Sequence, residues 1–124
     1  MFTDEIDEYG KKFIPHFKGV YPLDKFPSHI CIPSALIVNT DTHNLRGQHW
    51  IAISYENGGI VFAFDPLGIY YPRYLMEKLH RLPHQHVIYN TIMYQHPLET
   101  TCGLYCLAFL QHRATINTHI ASQT

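Results

Sequence analysis

His49-Trp50-Ile51-Ala52-Ile53-Ser54-Tyr55, then Glu56-Asn57-Gly58, then Gly59-Ile60-Val61-Phe62-Ala63-Phe64-Asp65 read as two strands and the turn that joins them. Both outer runs are rich in apolar, β-branched and aromatic residues, and the Asn-Gly-Gly sequence between them is a strong hairpin signal. The length of the loop decides which side chains meet. A two-residue turn at Asn57-Gly58 sets Trp50 opposite Asp65 and sends His49 to the other face. A three-residue loop, Glu56-Asn57-Gly58, pairs Tyr55 with Gly59 and sets His49 opposite Asp65 on one face, because strand side chains alternate with a period of two. A base and an orienting acid must share a face, so the chemistry requires the odd loop, and the sequence permits it.

Outward from this hairpin the pattern is also readable. Ile6, Tyr9 and Phe13 fall at helical spacing, so residues 4–14 form a short helix that Pro15 stops. Residues 15–33 hold Pro15, Pro22, Pro27 and Pro33 and read as irregular. Ala35 to Asn39 is a short buried strand or a helix end, and Asp41 to Gly47 a polar loop. Residues 73–82 make a helix with Leu75, Leu79 and Leu82 on one face, ended by Pro83. Val87 to Tyr94 is a third strand. Residues 102–112 are an apolar helix whose first residue is Cys102. No repeat, low-complexity tract or linker interrupts the chain, which is expected to form one domain over residues 1–124.

Bulk composition excludes several classes. The formal net charge is −1, so no basic excess advertises nucleic acid and no acidic tail suggests a disordered arm. Cys31, Cys102 and Cys106 are odd in number and widely spaced, which is no disulfide framework and fits a reducing compartment. No apolar run approaches the roughly 20 residues that cross a bilayer. The first residues lack the basic and apolar regions of a signal peptide. The expectation is an intracellular protein of cytoplasm or nucleus, with no membrane partner.

The chemistry lies in four residues. Cys102 opens a helix, where the helix dipole favours thiolate over thiol and unpaired N–H groups can bind an oxyanion. Gly103 leaves room for a substrate carbonyl. His49, at a strand edge beside a polar loop, is placed to act as general base. Asp65 before Pro66 is a common turn opener, and it can also orient the histidine. Gln95, seven residues before Cys102, can donate its amide to an oxyanion hole completed by the Cys102 N–H. Trp50 is the only tryptophan, suited to core packing and to shielding a His–carboxylate pair. Each residue alone also has a plainer reading as a buried cysteine, a surface histidine, a turn or a loop amide. Cys106 lacks the helix-end advantage and Cys31 has no base nearby in sequence. His80, His84 and His86 could ligate a metal but lack a cysteine or carboxylate partner at a familiar spacing, so no metal and no cofactor is expected.

In order and spacing, His49-Trp50, Phe64-Asp65-Pro66-Leu67-Gly68, Gln95 and Cys102-Gly103-Leu104-Tyr105-Cys106 resemble the adenovirus endopeptidase (adenain) family. That family carries a His-Trp pair, a Phe-acid-Pro-Phe-Gly turn, a glutamine and a Cys-Gly-Leu-Phe-Cys stretch. Asp24-Lys25-Phe26-Pro27 and Ala35 to Thr40 resemble it too. The ubiquitin-like-protein proteases are more distantly similar, but have one residue fewer between glutamine and cysteine and an acid where Thr101 stands. Relatives also occur in Polinton or Maverick elements and adintoviruses. The resemblance implies an α+β fold with a mixed, mainly antiparallel central sheet and flanking helices, a rearranged papain-like core. It implies a cysteine endopeptidase with Cys102 as nucleophile, His49 as base, Asp65 as orienting acid and Gln95 in the oxyanion hole. Its substrates would be proteins or peptides such as capsid precursors, and the enzyme could be virion-associated. The family chain continues well past its nucleophile, so a domain shortened at its C-terminus is expected. Adenain's activating peptide binds through a cysteine for which Arg81 to Asn90 offers no counterpart, and the scattered lysines give no support for DNA as an activator. Two other readings compete: a protease that removes ubiquitin-like proteins, and a non-catalytic relic or binding module.

Overall fold

The elements run α1 (Thr3–Phe13), β1 (Phe17–Pro22), β2 (Ser34–Asn39), β3 (Trp50–Glu56), β4 (Ile60–Phe64), α2 (Arg73–His80), β5 (His86–Tyr89) and α3 (Cys102–Gln123). The computed structural model describes residues 3–27, 30–40, 49–68, 71–81, 86–92 and 102–123, with the backbone alone for Thr3, Cys102 and residues 119–123. The strands form one sheet in the order β1-β2-β3-β4-β5. β3 is antiparallel to β2 and β4, whereas the outer pairs β1–β2 and β4–β5 are parallel. The sheet is thus mixed, antiparallel at its centre and flanked by helices, as the α+β expectation has it.

Both faces of the sheet are covered, which explains why β2 and β3 are near-continuous apolar runs rather than alternating ones. On one face Ala35, Ile37, Trp50, Ala52 and Phe64 pack with Ile6 of α1 and Cys106, Leu107 and Leu110 of α3. On the other, Leu36, Val38, Ile51, Ile53, Val61 and Ala63 pack with Phe26 and with Leu75 and Leu79 of α2. α1 carries Asp4 and Glu5 in its first turn and Lys11 and Lys12 in its last, matching the helix dipole. It lies close on β1 because residue 10 is glycine: a Cβ there would collide with the Phe17 ring.

The hairpin between β3 and β4 has the odd loop, displaced by one residue from the expected position. Glu56 pairs with Ile60 and Ala52 with Phe64, so the loop is Asn57-Gly58-Gly59 rather than Glu56-Asn57-Gly58. Gly58 and Gly59 have φ of 89° and 75°, left-handed values that take Gly59 out of the strand. Glu56 stays in β3 and is held there by Ser54 and Arg113. Continued past Phe64, this register sets Asp65 opposite Ile51, with His49 two residues further along and on the same face.

Other elements differ in extent. The proline-rich stretch expected to be irregular contains β1. It is an edge strand, and an edge tolerates Pro22 at its end because only one side must bond. Ala35 to Asn39 is strand. α3 runs to Gln123 rather than to residue 112, since no glycine or proline follows Gly103. The loop at 41–47, Leu82, Pro83 and the far end of the expected third strand lie outside the described residues.

Candidate active site

His49 directly precedes β3. Its carbonyl accepts the Thr40 N–H (2.9 Å) and the Thr40 hydroxyl (3.2 Å), which carries the β2–β3 ladder one residue past the Asn39–Trp50 pair. The imidazole is therefore set by sheet backbone rather than by a loop. Asp65 directly follows β4, and its side chain is 0% exposed against 12% for His49. His49 Nε2 lies 2.8 Å from Asp65 Oδ1. The structure thus brings together the two residues that the hairpin arithmetic required on one face.

The Asp65 carboxylate has a second anchor. Asp65-Pro66-Leu67-Gly68 is a turn closed by the Gly68 N–H on the Asp65 carbonyl (2.8 Å), with Gly68 at φ 74°. Inside it the Leu67 N–H donates to Asp65 Oδ1 at 3.0 Å. The turn that Asp65 opens thus fixes the carboxylate that the histidine meets. Burial of a carboxylate is costly unless its oxygens are bonded, and Oδ1 has both contacts.

Two residues that sequence reasoning missed stand behind Asp65. The Asn90 side chain accepts the Asp65 N–H on Oδ1 (2.8 Å) and donates Nδ2 to the Asp65 carbonyl (2.6 Å). The Tyr71 hydroxyl also accepts the Asp65 N–H, at 3.1 Å, and hydrogen-bonds Asn90 Oδ1. Burial pushes the Tyr71 hydroxyl far above its ordinary range; the main-chain bond at Asp65 opposes this and the Asp65 charge adds to it. It is therefore neutral and able to donate at any working pH. Nothing local marks these residues. Asn90 reaches Asp65 because β5 lies parallel to β4, a pairing the sequence pattern does not announce.

α3 is fastened along β3 at two points. The Cys106 thiol, buried, donates to the Trp50 carbonyl at 3.2 Å. Arg113 bonds Glu56 at the far end of the strand. Between them the Phe109 ring stacks on Phe64 at 4.5 Å. The helix therefore runs with its N-terminus at the His49 end of the sheet. Cys102 is its first residue, four positions before Cys106. The side chain of Cys102, all of Gln95, and His84 lie outside the described residues. Trp50 is 2% exposed and sits in the core under α1 and α3.

The remaining candidates are elsewhere. Cys31 is exposed, and its carbonyl accepts the Ser34 hydroxyl at the start of β2, the end of the sheet remote from His49. His80 Nε2 lies 3.1 Å from the Tyr89 hydroxyl. Among the described residues no group of three or more potential ligands could hold a metal. Among them, too, no helix is long and apolar enough to cross a membrane.

A buried carboxylate 2.8 Å from an imidazole, at the end of the sheet where a helix headed by cysteine begins, is an arrangement that can support proton transfer to and from a thiol. Known proteins point the same way. The chain is 31% identical over 115 residues to the protease of Porcine adenovirus A serotype 3, an alignment spanning 78% of this chain and 55% of that protein. To the protease of Bovine adenovirus 2 it is 26% identical over 113 residues, spanning 77% and 54%. It spans about half the length of these curated relatives. The crystal structure of an ASFV protease shares the fold, with a TM-score of 0.55 at 23% identity over 69% of this chain and 36% of that one. The sequence model of the family described as adenovirus endoprotease matches residues 17–93, more than half of the chain and including His49 and Asp65, and the chain belongs to that family.

Proposed function

We propose that the protein is a cysteine endopeptidase in which Cys102, His49 and Asp65 form the catalytic triad and Gln95 with the Cys102 N–H forms the oxyanion hole. The observation that carries this reading is the buried His49–Asp65 contact of 2.8 Å at the end of the sheet where α3 begins. Asp65 engages Nε2, so Nδ1 is the nitrogen assigned to the thiol. His49 takes the Cys102 proton on Nδ1, and the sulfur attacks the scissile carbonyl carbon. The amide of Gln95 and the helix-end N–H bear the negative charge that develops on oxygen. His49 returns the proton to the leaving amine as the C–N bond breaks, which leaves a thioester. Water, deprotonated by the same imidazole, attacks the thioester and releases the acid, restoring the thiol. Asp65 holds the tautomer and stabilises the imidazolium throughout. Trp50, packed on the sheet face opposite to Ile51, would shield the pair only by closing the core beneath α1 and α3.

Substrates in this reading are proteins or peptides, with capsid precursors as the proposed class. The proposed setting is the reducing cytoplasm or nucleus, where a catalytic thiol survives, and the virion. The test is selective labelling of Cys102 by an active-site-directed thiol reagent, coupled to hydrolysis of internal-peptide reporters. Cys102→Ala should abolish both, while Cys31→Ala should leave both intact. A preference for ubiquitin-like tail reporters over internal peptides would move the substrate class to deconjugation. Absence of labelling and of hydrolysis in a folded chain would make it a binding module.

A further inference from the structure

Asp65 sits where two requirements conflict. It must be buried and rigidly aimed, yet the chain turns away at Pro66, which has no N–H to continue the sheet. The last β4–β5 pair is Ala63 with Tyr89, so the Asp65 peptide falls beyond the ladder. Asn90 supplies what a continued strand would have given. Its amide sets an acceptor and a donor at the spacing of a peptide group, both engaged by Asp65 at 2.8 and 2.6 Å, and Nδ2 also donates to the Ile92 carbonyl at 3.2 Å. Aspartate there would lack the donor, glutamine would be a methylene too long, and serine could not make both bonds in this fashion. The Tyr71 hydroxyl closes the cluster. It contacts the Asp65 N–H and Asn90 Oδ1, and lies 3.3 Å from the Ala63 carbonyl and 3.2 Å from that of Asn90. It has one proton and three acceptors in reach; given to Asn90 Oδ1, that proton fixes the amide with Oδ1 toward the Asp65 N–H.

We propose that Asn90 and Tyr71 are positioning residues for the reaction, fixing the main chain of Asp65 so that its carboxylate meets His49 in one orientation. This deepens the proposed function and rests on its assignment of Asp65 as the orienting acid. Neither residue is asked to touch substrate. Both act through the Asp65 peptide, and the Leu67 N–H then sets the carboxylate. Misplacement of a catalytic group by about 1 Å can cost on the order of 100-fold in rate. Loss of the Asn90 amide should therefore appear in kcat, and little in KM.

The experiment has two readouts. The first is hydrolysis by Asn90→Ala and Tyr71→Phe. The second is NMR titration of the His49 ring in a Cys102→Ala background, where no turnover occurs. Titratable groups near the pair include Tyr71, which precedes α2, Tyr89 of β5, whose ring is 4.7 Å from that of Tyr71, and Cys106 of α3, bonded to the Trp50 carbonyl. Asn90→Ala is expected to lower kcat by roughly 10–100-fold with KM nearly constant. It should also lower the His49 titration midpoint in the same direction as Asp65→Asn, because a misaimed carboxylate stabilises the imidazolium less. Tyr71→Phe, which removes one oxygen and keeps the ring, should give a smaller loss of the same kind, and it decides the matter if Asn90→Ala fails to fold. Unchanged kcat and unchanged His49 titration in the folded variants, while Asp65→Asn shows its own effect, overturn the positioning role alone. An inert Asp65→Asn overturns the triad as well.

Discussion

The β3–β4 hairpin buries a carboxylate at each end, and the two ends do different work. Near the loop, Glu56 accepts bonds from the Ser54 hydroxyl (2.8 Å) and from Arg113 Nε (2.8 Å), with a second contact to the terminal nitrogen Nη2. At the opposite end Asp65 meets His49. Burial hardly separates them: the Glu56 side chain is 6% exposed and Asp65 0%. The cation does. Guanidinium keeps its proton at every accessible pH and grips both carboxylate oxygens, so that end is a fastener. Imidazole can carry one proton or two, so the other end can take up or release charge.

The largest effect should come from removing charge at the mobile end. Asp65→Asn keeps the shape and can still accept the Leu67 N–H, yet it should lower kcat by roughly 10³–10⁴-fold by stabilising the wrong histidine tautomer. Melting should change little. A loss of under about tenfold, measured by steady-state hydrolysis, would be too small for an orienting acid and would erase the contrast between the ends.

Breaking the fastener should act on stability. Arg113→Ala leaves a buried, uncompensated Glu56 and is expected to cost about 3–5 kcal/mol in urea unfolding. At a temperature where the variant is folded, kcat per titrated site should stay within about threefold of the parent, since distant sites are nearly independent. A large fall in kcat with stability intact would mean that the two ends are coupled.

The smallest effect concerns Tyr55, beside Glu56 on β3. Burial pushes its hydroxyl from 10.0 up to about 12. The folded chain therefore keeps a proton that the unfolded chain releases near its ordinary value. The associated stability is complete below about pH 10 and is lost as pH rises toward 12. Tyr71 and Tyr89 are shifted the same way by burial, so Tyr55→Phe should remove only part of the slope. Urea midpoints at neutral and alkaline pH measure it. An unaltered slope in Tyr55→Phe would show that this ring contributes nothing to alkaline unfolding.

How much of this was legible depended on whether the determinant was local. The hairpin, α1, α2 and the start of α3 follow from turn residues, helical spacing and prolines. The parity of the loop followed too, although its one-residue displacement depends on where Gly59 leaves the strand and on Arg113, a tertiary partner. His49 and Asp65 were readable as a pair because one hairpin carries both. β1 was missed because proline content outweighed an edge-strand position that only β2 creates. Asn90 and Tyr71 were invisible for the same reason: their task exists only once β5 lies beside β4.

The Asn57-Gly58-Gly59 loop has a consequence for how such sequences can diverge. It is exposed at its tip, where insertions are ordinarily harmless, and it lies about 20 Å from the His49 end by strand rise alone. β2 holds β3 and β5 holds β4, so the exposed loop can lengthen while both strands keep their places. A one-residue change absorbed by β4 instead would carry Asp65 to the opposite face of the sheet. Tolerance of a longer loop is therefore a reading of how firmly β5 pins β4.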